Sequence, residues 1–234
     1  MVKGKQFKEF RDTGNPITAA RIYNAQSVDE LIFIDIDASV EGRAALIDVI
    51  EQVSSELFIP FCVGGGIKDI NTISQLLRSG ADKVSICTAA VEDAEFIKEA
   101  ITIFGSQCIV ICIDFRKEDN KYIVYTHSGT VRTNKNVLDY IKELSQIHVG
   151  EILLNSIDRD GMMEGYDIEL LTEATKITNI PIIALGGVGK LSDFSAAFQV
   201  ADVSAVSAAS IFHFTDQSPI KANFFLKSCD VSVR

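Results

Sequence analysis

The sequence predicts an α/β chain folded as a (βα)8 barrel of the TIM type, and three observations predict it. Short apolar, β-branched runs alternate with amphipathic stretches from Leu31 onward, the pattern of a parallel sheet buried on both faces beneath helices. Two glycine turns recur about half a chain apart, Gly64-Gly65-Gly66 and Gly186-Gly187-Val188-Gly189. Aspartate pairs, Asp35 with Asp37 and Asp158 with Asp160, repeat at a similar offset. This half-chain repeat favours a closed barrel, which has half-barrel symmetry, over an open doubly wound sheet.

The elements follow in order. Polar Lys5 to Asn15 reads as a loop and Ile17–Asn24 as a helix. Strands are predicted at Leu31–Ile36, Pro60–Val63, Lys83–Cys87, Cys108–Asp114, Glu151–Ser156, Pro181–Leu185 and Val203–Ser207. The helices between them are Gly42–Ser55, Ile70–Ser79, Ala94–Phe104, Val137–Gln146, Ile168–Thr175 and Ser192–Val200. Glu118-Asp119-Asn120 reads as a hairpin turn that adds a short strand, Lys121–Thr126. No linker or low-complexity tract interrupts the pattern, so one domain spanning 1–234 is expected. A barrel strand ahead of the first loop is missing. The expectation is therefore a sheet with two unpaired edges and a start codon assigned too late.

Bulk properties narrow the function. Of 234 residues, 47% are hydrophobic, enough for a large core, and the 22 basic against 32 acidic residues give a net charge of −10. So acidic a chain repels phosphate backbones and shows no basic stripe, which argues against nucleic-acid binding. The start, Met1-Val2-Lys3-Gly4-Lys5, has no apolar signal core, and no run of 18 apolar residues occurs, so a soluble cytoplasmic protein with no membrane association is expected. Five cysteines (Cys62, Cys87, Cys108, Cys112 and Cys229) and three histidines (His127, His148 and His213) lack metal-ligand spacing. Reduced cysteines acting as small hydrophobes, with no metal and no organic cofactor, are the reading.

In a barrel, chemistry sits at the C-terminal ends of strands. Asp114 ends one such run and is placed to work as a general acid or base. Asp35 and Asp158 hold matching strand-end positions and either shape the pocket or pin loops. Thr88 and Ser210 stand where helices begin, beside the glycine turns, and either cap helices or bind phosphate. Two such turns suggest a small substrate with a phosphate at each end. Ser128 follows the extra hairpin and is either a substrate contact or a turn residue. Glu30, Lys83 and Glu151 are charged residues at the starts of strands, on the opposite face, where on most barrels such residues form ion pairs that support stability.

Together these motifs resemble the HisF family, the cyclase subunits of imidazole glycerol phosphate synthase. The resemblance is carried by Arg11 to Pro16, Pro60 to Ile67, Gly80 to Ser85, Pro181 to Lys190, Ala208 to Phe214 and above all Glu151-Ile-Leu-Leu-Asn-Ser-Ile-Asp-Arg-Asp-Gly161. It implies a barrel that receives ammonia from a HisH-like glutaminase partner in a heterodimer. That ammonia is joined to a bisphosphorylated ribulosyl aminoimidazole carboxamide nucleotide, and the imidazole ring is closed. By resemblance Asp114 is one of two catalytic aspartates; the strand carrying the other, with one gate arginine, precedes this chain's first residue. Gly66 and Thr88 would hold one phosphate, Gly187, Ala209 and Ser210 the other, with Lys3 on the substrate. Asp35, Ser128, Asp158 and Asp160 would shape the pocket. Glu30, Lys83 and Glu151 would form the ammonia gate, and Asp82 would face the glutaminase. Three pocket positions depart from the family: Cys87 replaces an asparagine, Asn155 a threonine and Leu185 a serine. Such departures also resemble HisF-like paralogues that pass ammonia to an amidotransferase making acetamidino sugars for surface polysaccharide, and a non-catalytic barrel that only activates its glutaminase is a third reading. The reading adopted is the cyclase.

Overall fold

The computed structural model describes residues 2–36, 38 and 47–233, and of Lys3 only the backbone. Asp37 and the first part of the helix predicted at Gly42–Ser55 lie outside the described residues. The chain opens on an antiparallel hairpin, β1 (Val2–Lys5) with β2 (Lys8–Asp12), where the sequence reading expected a loop. Gln6 and Phe7 make its turn at φ 51° and 62°, the left-handed pair that a tight hairpin requires. Helix α1 (Pro16–Ala25) starts where Asn15 accepts from the amides of Ile17 and Thr18 and Pro16 fixes the first turn.

Seven parallel strands follow: β3 (Leu31–Ile34), β4 (Phe61–Gly64), β5 (Lys83–Ile86), β6 (Ile109–Glu118), β9 (Glu151–Ser156), β10 (Ile182–Leu185) and β11 (Ala205–Val206). They are neighbours in that order. Between β6 and β9 the chain makes two further strands, β7 (Lys121–Thr126) and β8 (Val131–Asn136), antiparallel to β6 and to each other. Strand β8 is an addition to the sequence reading. Helices α2 (Ile47–Ser54), α3 (Ile70–Arg78), α4 (Thr88–Glu92), α5 (Ala94–Phe104), α6 (Val137–Ile147), α7 (Ile168–Ile177), α8 (Leu191–Gln199), α9 (Ser210–Phe214) and α10 (Pro219–Ser228) complete the chain. The sequence reading gave no bounds for α4, α9 or α10. Aspartates 69, 93 and 167 and Asn136 cap α3, α5, α7 and α6, each accepting from first-turn amides.

Alternation along the strands divides the core in two. Phe61, Val63, Val84, Ile86, Ile109, Ile111, Ile113, Ile152, Leu154, Ile182 and Ala184 face outward and pack with the helices. Cys62, Val110, Cys112, Leu153 and Ile183, with Ile32, Cys87, Leu185 and Ala205 against them, form a second cluster on the inner face. Ile32 of β3 and Ala205 of β11 share that cluster although they come from opposite ends of the strand order, so the sheet curls as a TIM barrel does. Among the described residues no strand bridges β3 to β11.

Candidate functional site

The inner face is built in layers, and the layers carry different chemistry. At the strand starts, Lys83 reaches both Glu30 (2.7 Å) and Glu151 (2.7 Å). Burial pushes the Glu30 carboxyl up, against the pull of Lys83. The two carboxylates hold Lys83 above its ordinary value although burial works the other way. The second oxygens, Glu30 Oε1 and Glu151 Oε2, are buried with no hydrogen-bond partner among the described residues. Above them comes the apolar inner cluster, and above that the polar mouth. One cavity of about 1360 Å³ is lined by Glu30, Lys83 and Glu151, by Asp114 and Asn155, and also by Ala20, Tyr23, Phe194 and Leu226 of the helix layer, so it extends beyond the inner face.

Asp114 sits on β6 opposite Asn155 of β9. Its side chain is almost completely buried (7% exposed). Asn155 Nδ2 donates to Oδ1 at 2.9 Å, the Cys87 thiol donates to Oδ2 at 3.5 Å, and the Cys112 thiol lies 3.7 Å from Oδ1. Burial pushes the Asp114 carboxyl up to about 6, with these three donors pulling it partly back. The thiol of Cys112 is driven well above its ordinary value, first because it hydrogen-bonds the Cys87 sulfur and then by burial. Cys87 gains from that bond, but burial and the neighbouring Asp114 charge outweigh it and its pKa is also raised. A carboxyl titrating close to neutrality in a cleft is fitted to accept and return protons.

Two glycine turns flank this carboxyl. At the first, Gly65 and Gly66 have φ 102° and 67°, and a Cβ on Gly65 would lie 2.2 Å from the Asp35 carbonyl oxygen. At the second, Gly186 and Gly187 have φ 90° and 110°, and a Cβ on Gly187 would lie 2.3 Å from the Gly165 carbonyl oxygen. Only glycine fits either place. Thr88 opens α4 next to the first turn, its Oγ1 accepting from the His127 amide (2.9 Å), and Ser210 opens α9 next to the second. Gly66, Thr88, Ala209 and Ser210 all line the cavity, whereas Gly187 is buried and is not part of its lining.

The other expected residues divide. Asp35, Ser128, Asp160, Cys87 and Leu185 line the cavity; Ser128 Oγ also donates to the Ile36 carbonyl at 2.7 Å, and the Asp160 carbonyl accepts from the Gln6 amide at 2.9 Å. Asp158 is engaged elsewhere than the pocket: its carboxylate accepts from Arg116 Nη1 (2.8 Å) and from the Lys117 amide (3.0 Å). Asp82, exposed at the strand starts, accepts from the Phe61 amide at 2.8 Å. Lys3 pairs with Arg11 in the hairpin, and its side chain lies outside the described residues. His148 ends α6 in the left-handed conformation (φ 56°). Sequence reasoning missed Lys68 and His127, which line the mouth, and the part played by Cys112. A signal for Cys112 existed: it stands two residues before Asp114 on one strand and therefore shares its face.

A family model described as "Histidine biosynthesis protein" matches residues 1–218. An imidazole glycerol phosphate synthase subunit HisF from Clostridium botulinum (strain Okra / Type B1) is 43% identical over 236 residues, which cover 100% of this chain and 93% of that protein. The protein of the same name from Geobacillus kaustophilus (strain HTA426) is 44% identical over 236 residues, 100% of this chain and 94% of its own. Its namesake from Sulfurisphaera tokodaii is 47% identical over 213 residues, 91% and 85% respectively.

Proposed function

The chain belongs to the histidine biosynthesis protein family, and from that premise we propose that it is a HisF-type cyclase subunit of imidazole glycerol phosphate synthase, a lyase of histidine biosynthesis. The observation that carries the reading is the single cavity joining the Glu30–Lys83–Glu151 cluster to Asp114. Neutral ammonia released at the strand-start end would meet the Glu30–Lys83–Glu151 cluster and then the apolar inner cluster, where it keeps its lone pair. The partner would be a glutaminase subunit docked on the strand-start rim, where Asp82 is exposed.

At the mouth, a bisphosphorylated nucleotide fits a protein of net charge −10 because phosphate is held locally, by backbone amides of the Gly66–Thr88 and Gly187–Ser210 sets. The substrate is thereby stretched across Asp114. With its carboxyl held at about 6, Asp114 takes a proton from the attacking nitrogen as carboxylate and returns one to a departing oxygen as acid. Products would be imidazole glycerol phosphate and the aminoimidazole carboxamide ribonucleotide. Leu185 offers no hydrogen bond at the rim, so substrate orientation rests more heavily on the two phosphate sets.

The test is ammonia-dependent turnover of the bisphosphorylated ribulosyl nucleotide at high ammonium without glutaminase. Turnover abolished by Asp114→Asn, with ligand affinity retained, is the expected result. A folded protein that binds the nucleotide without turning it over would overturn the catalytic reading.

A further inference from the structure

We propose that Cys87, Cys112 and Asp114 form a binding site for a thiophilic divalent cation, with zinc as its natural occupant. The inference stands on geometry alone and holds whatever substrate the mouth accepts.

The register places the groups. Strand β5 runs beside β6 with Val84 opposite Ile109, Ser85 opposite Val110 and Ile86 opposite Ile111, so the next step sets Cys87 level with Cys112. Cys112 and Asp114 are alternate residues of β6 and project from one face. The ligand atoms of the three residues all lie within 4.8 Å of one another. Tetrahedral zinc, with Zn–S about 2.3 Å and Zn–O about 2.0 Å, sets sulfur and oxygen ligands about 3.5 Å apart. The two sulfurs stand 3.5 and 3.7 Å from the Asp114 oxygens. Cys87 measures to Oδ2 and Cys112 to Oδ1, so each sulfur already stands at about the sulfur–oxygen spacing of a zinc site from one carboxylate oxygen.

A second observation points the same way. Asn155 is 7% exposed, and its Oδ1 is buried without a hydrogen-bond partner among the described residues, while its Nδ2 holds Asp114. That oxygen lies on the Gly186 side of the amide, where a water bound to the cation would supply the missing donor. Two sulfurs select zinc or cadmium over magnesium and calcium. Three protein ligands leave the fourth position open to the cavity. Each thiol releases its proton to solvent as its bond to the metal forms. Occupancy removes Asp114 from proton transfer, so the ion would inhibit any reaction that uses this carboxyl.

The experiment uses the full chain with Cys108→Ser and Cys229→Ser, to remove the other partly exposed thiols, reduced and stripped with a chelator. It is titrated with cadmium chloride while the thiolate-to-cadmium ultraviolet band is recorded, and zinc is then added in competition. One cadmium per chain with that band, displaced by zinc, is expected. Cys87→Ser and Cys112→Ala should each abolish the band, and Asp114→Asn should weaken binding more than about tenfold. Absence of the band in the folded parent protein overturns the proposal, as does a band that survives Cys87→Ser. Should Cys112→Ala fail to fold, the half-buried Cys87 position decides the matter alone.

Discussion

Replacing Asp114 by asparagine should make the protein more stable at about pH 8 while disabling it. The carboxyl is pushed from its ordinary 3.8 up to about 6, chiefly by burial. A group whose folded pKa is raised binds its proton more tightly in the native state than in the unfolded chain. At the lowest pH both states are protonated and burial of the neutral acid carries no charge penalty. As pH rises from about 4 to about 6 the unfolded chain loses its proton first, so stability falls across that window and stays low above it. About two pKa units, at 1.36 kcal/mol each, put the penalty at roughly 3 kcal/mol by pH 8. Asparagine has the same shape, presents an oxygen to Asn155 Nδ2, and has no charge to bury. Urea denaturation at about pH 5.5 and about pH 8, with chelator present, reads the difference directly. Asp114→Asn should exceed the wild type by up to about 3 kcal/mol at the higher pH and by clearly less at the lower. A variant less stable than wild type at about pH 8, or a difference that does not change with pH, would refute the reasoning.

Three further changes test the rest of the architecture. Lys83→Met leaves Glu30 and Glu151 facing each other without their shared cation; a loss of roughly 3 kcal/mol is expected at neutral pH. That loss should shrink in thermal melts as the pH is lowered and Glu30, whose carboxyl burial pushes up, takes up its proton. Gly187→Ala forces a Cβ to 2.3 Å from the Gly165 carbonyl at φ 110°, so a loss of at least about 2 kcal/mol should appear in denaturant titrations, with weaker phosphate binding. Arg116→Ala removes a partner of Asp158 that is itself partly exposed. It should lower stability by only about 0.5 kcal/mol yet raise KM more than it lowers kcat, because the loop it steadies carries Asp160.

The strands, their order and the layering were legible because alternation is enforced from both sides: in β6, Ile109, Ile111 and Ile113 must meet helices while Val110, Cys112 and Asp114 must meet one another. The glycine turns were equally legible, since positive φ against a neighbouring carbonyl admits no other residue. The β1–β2 hairpin was not, because its turn places Gln6 and Phe7 in the left-handed region, where a sequence reader expects glycine or asparagine. Strand β8 escaped for a different reason: Val131–Asn136 is polar and pairs only at the outside of β7, so no core imposes a period on it. For Asp158, a strand-end carboxylate looks the same in sequence whether it faces a substrate or an arginine on the neighbouring strand β6. Its contact with Arg116 spans 42 positions and leaves no local trace.

The mouth links two properties that sequence reading had kept apart. The donors that keep Asp114 close to neutrality are Asn155, Cys87 and Cys112. Without them burial would push the carboxyl up further. Two of those donors are sulfur, however, and a sulfur that can donate a hydrogen bond to a carboxylate can, once deprotonated, share a metal with it. Apolar surroundings hold both thiols protonated and so favour the hydrogen-bonded, proton-transferring form. A thiophilic cation supplies the charge that reverses that preference. The use of cysteine rather than an amide beside the acid–base carboxyl therefore makes proton transfer at Asp114 and metal binding mutually exclusive states of one cluster.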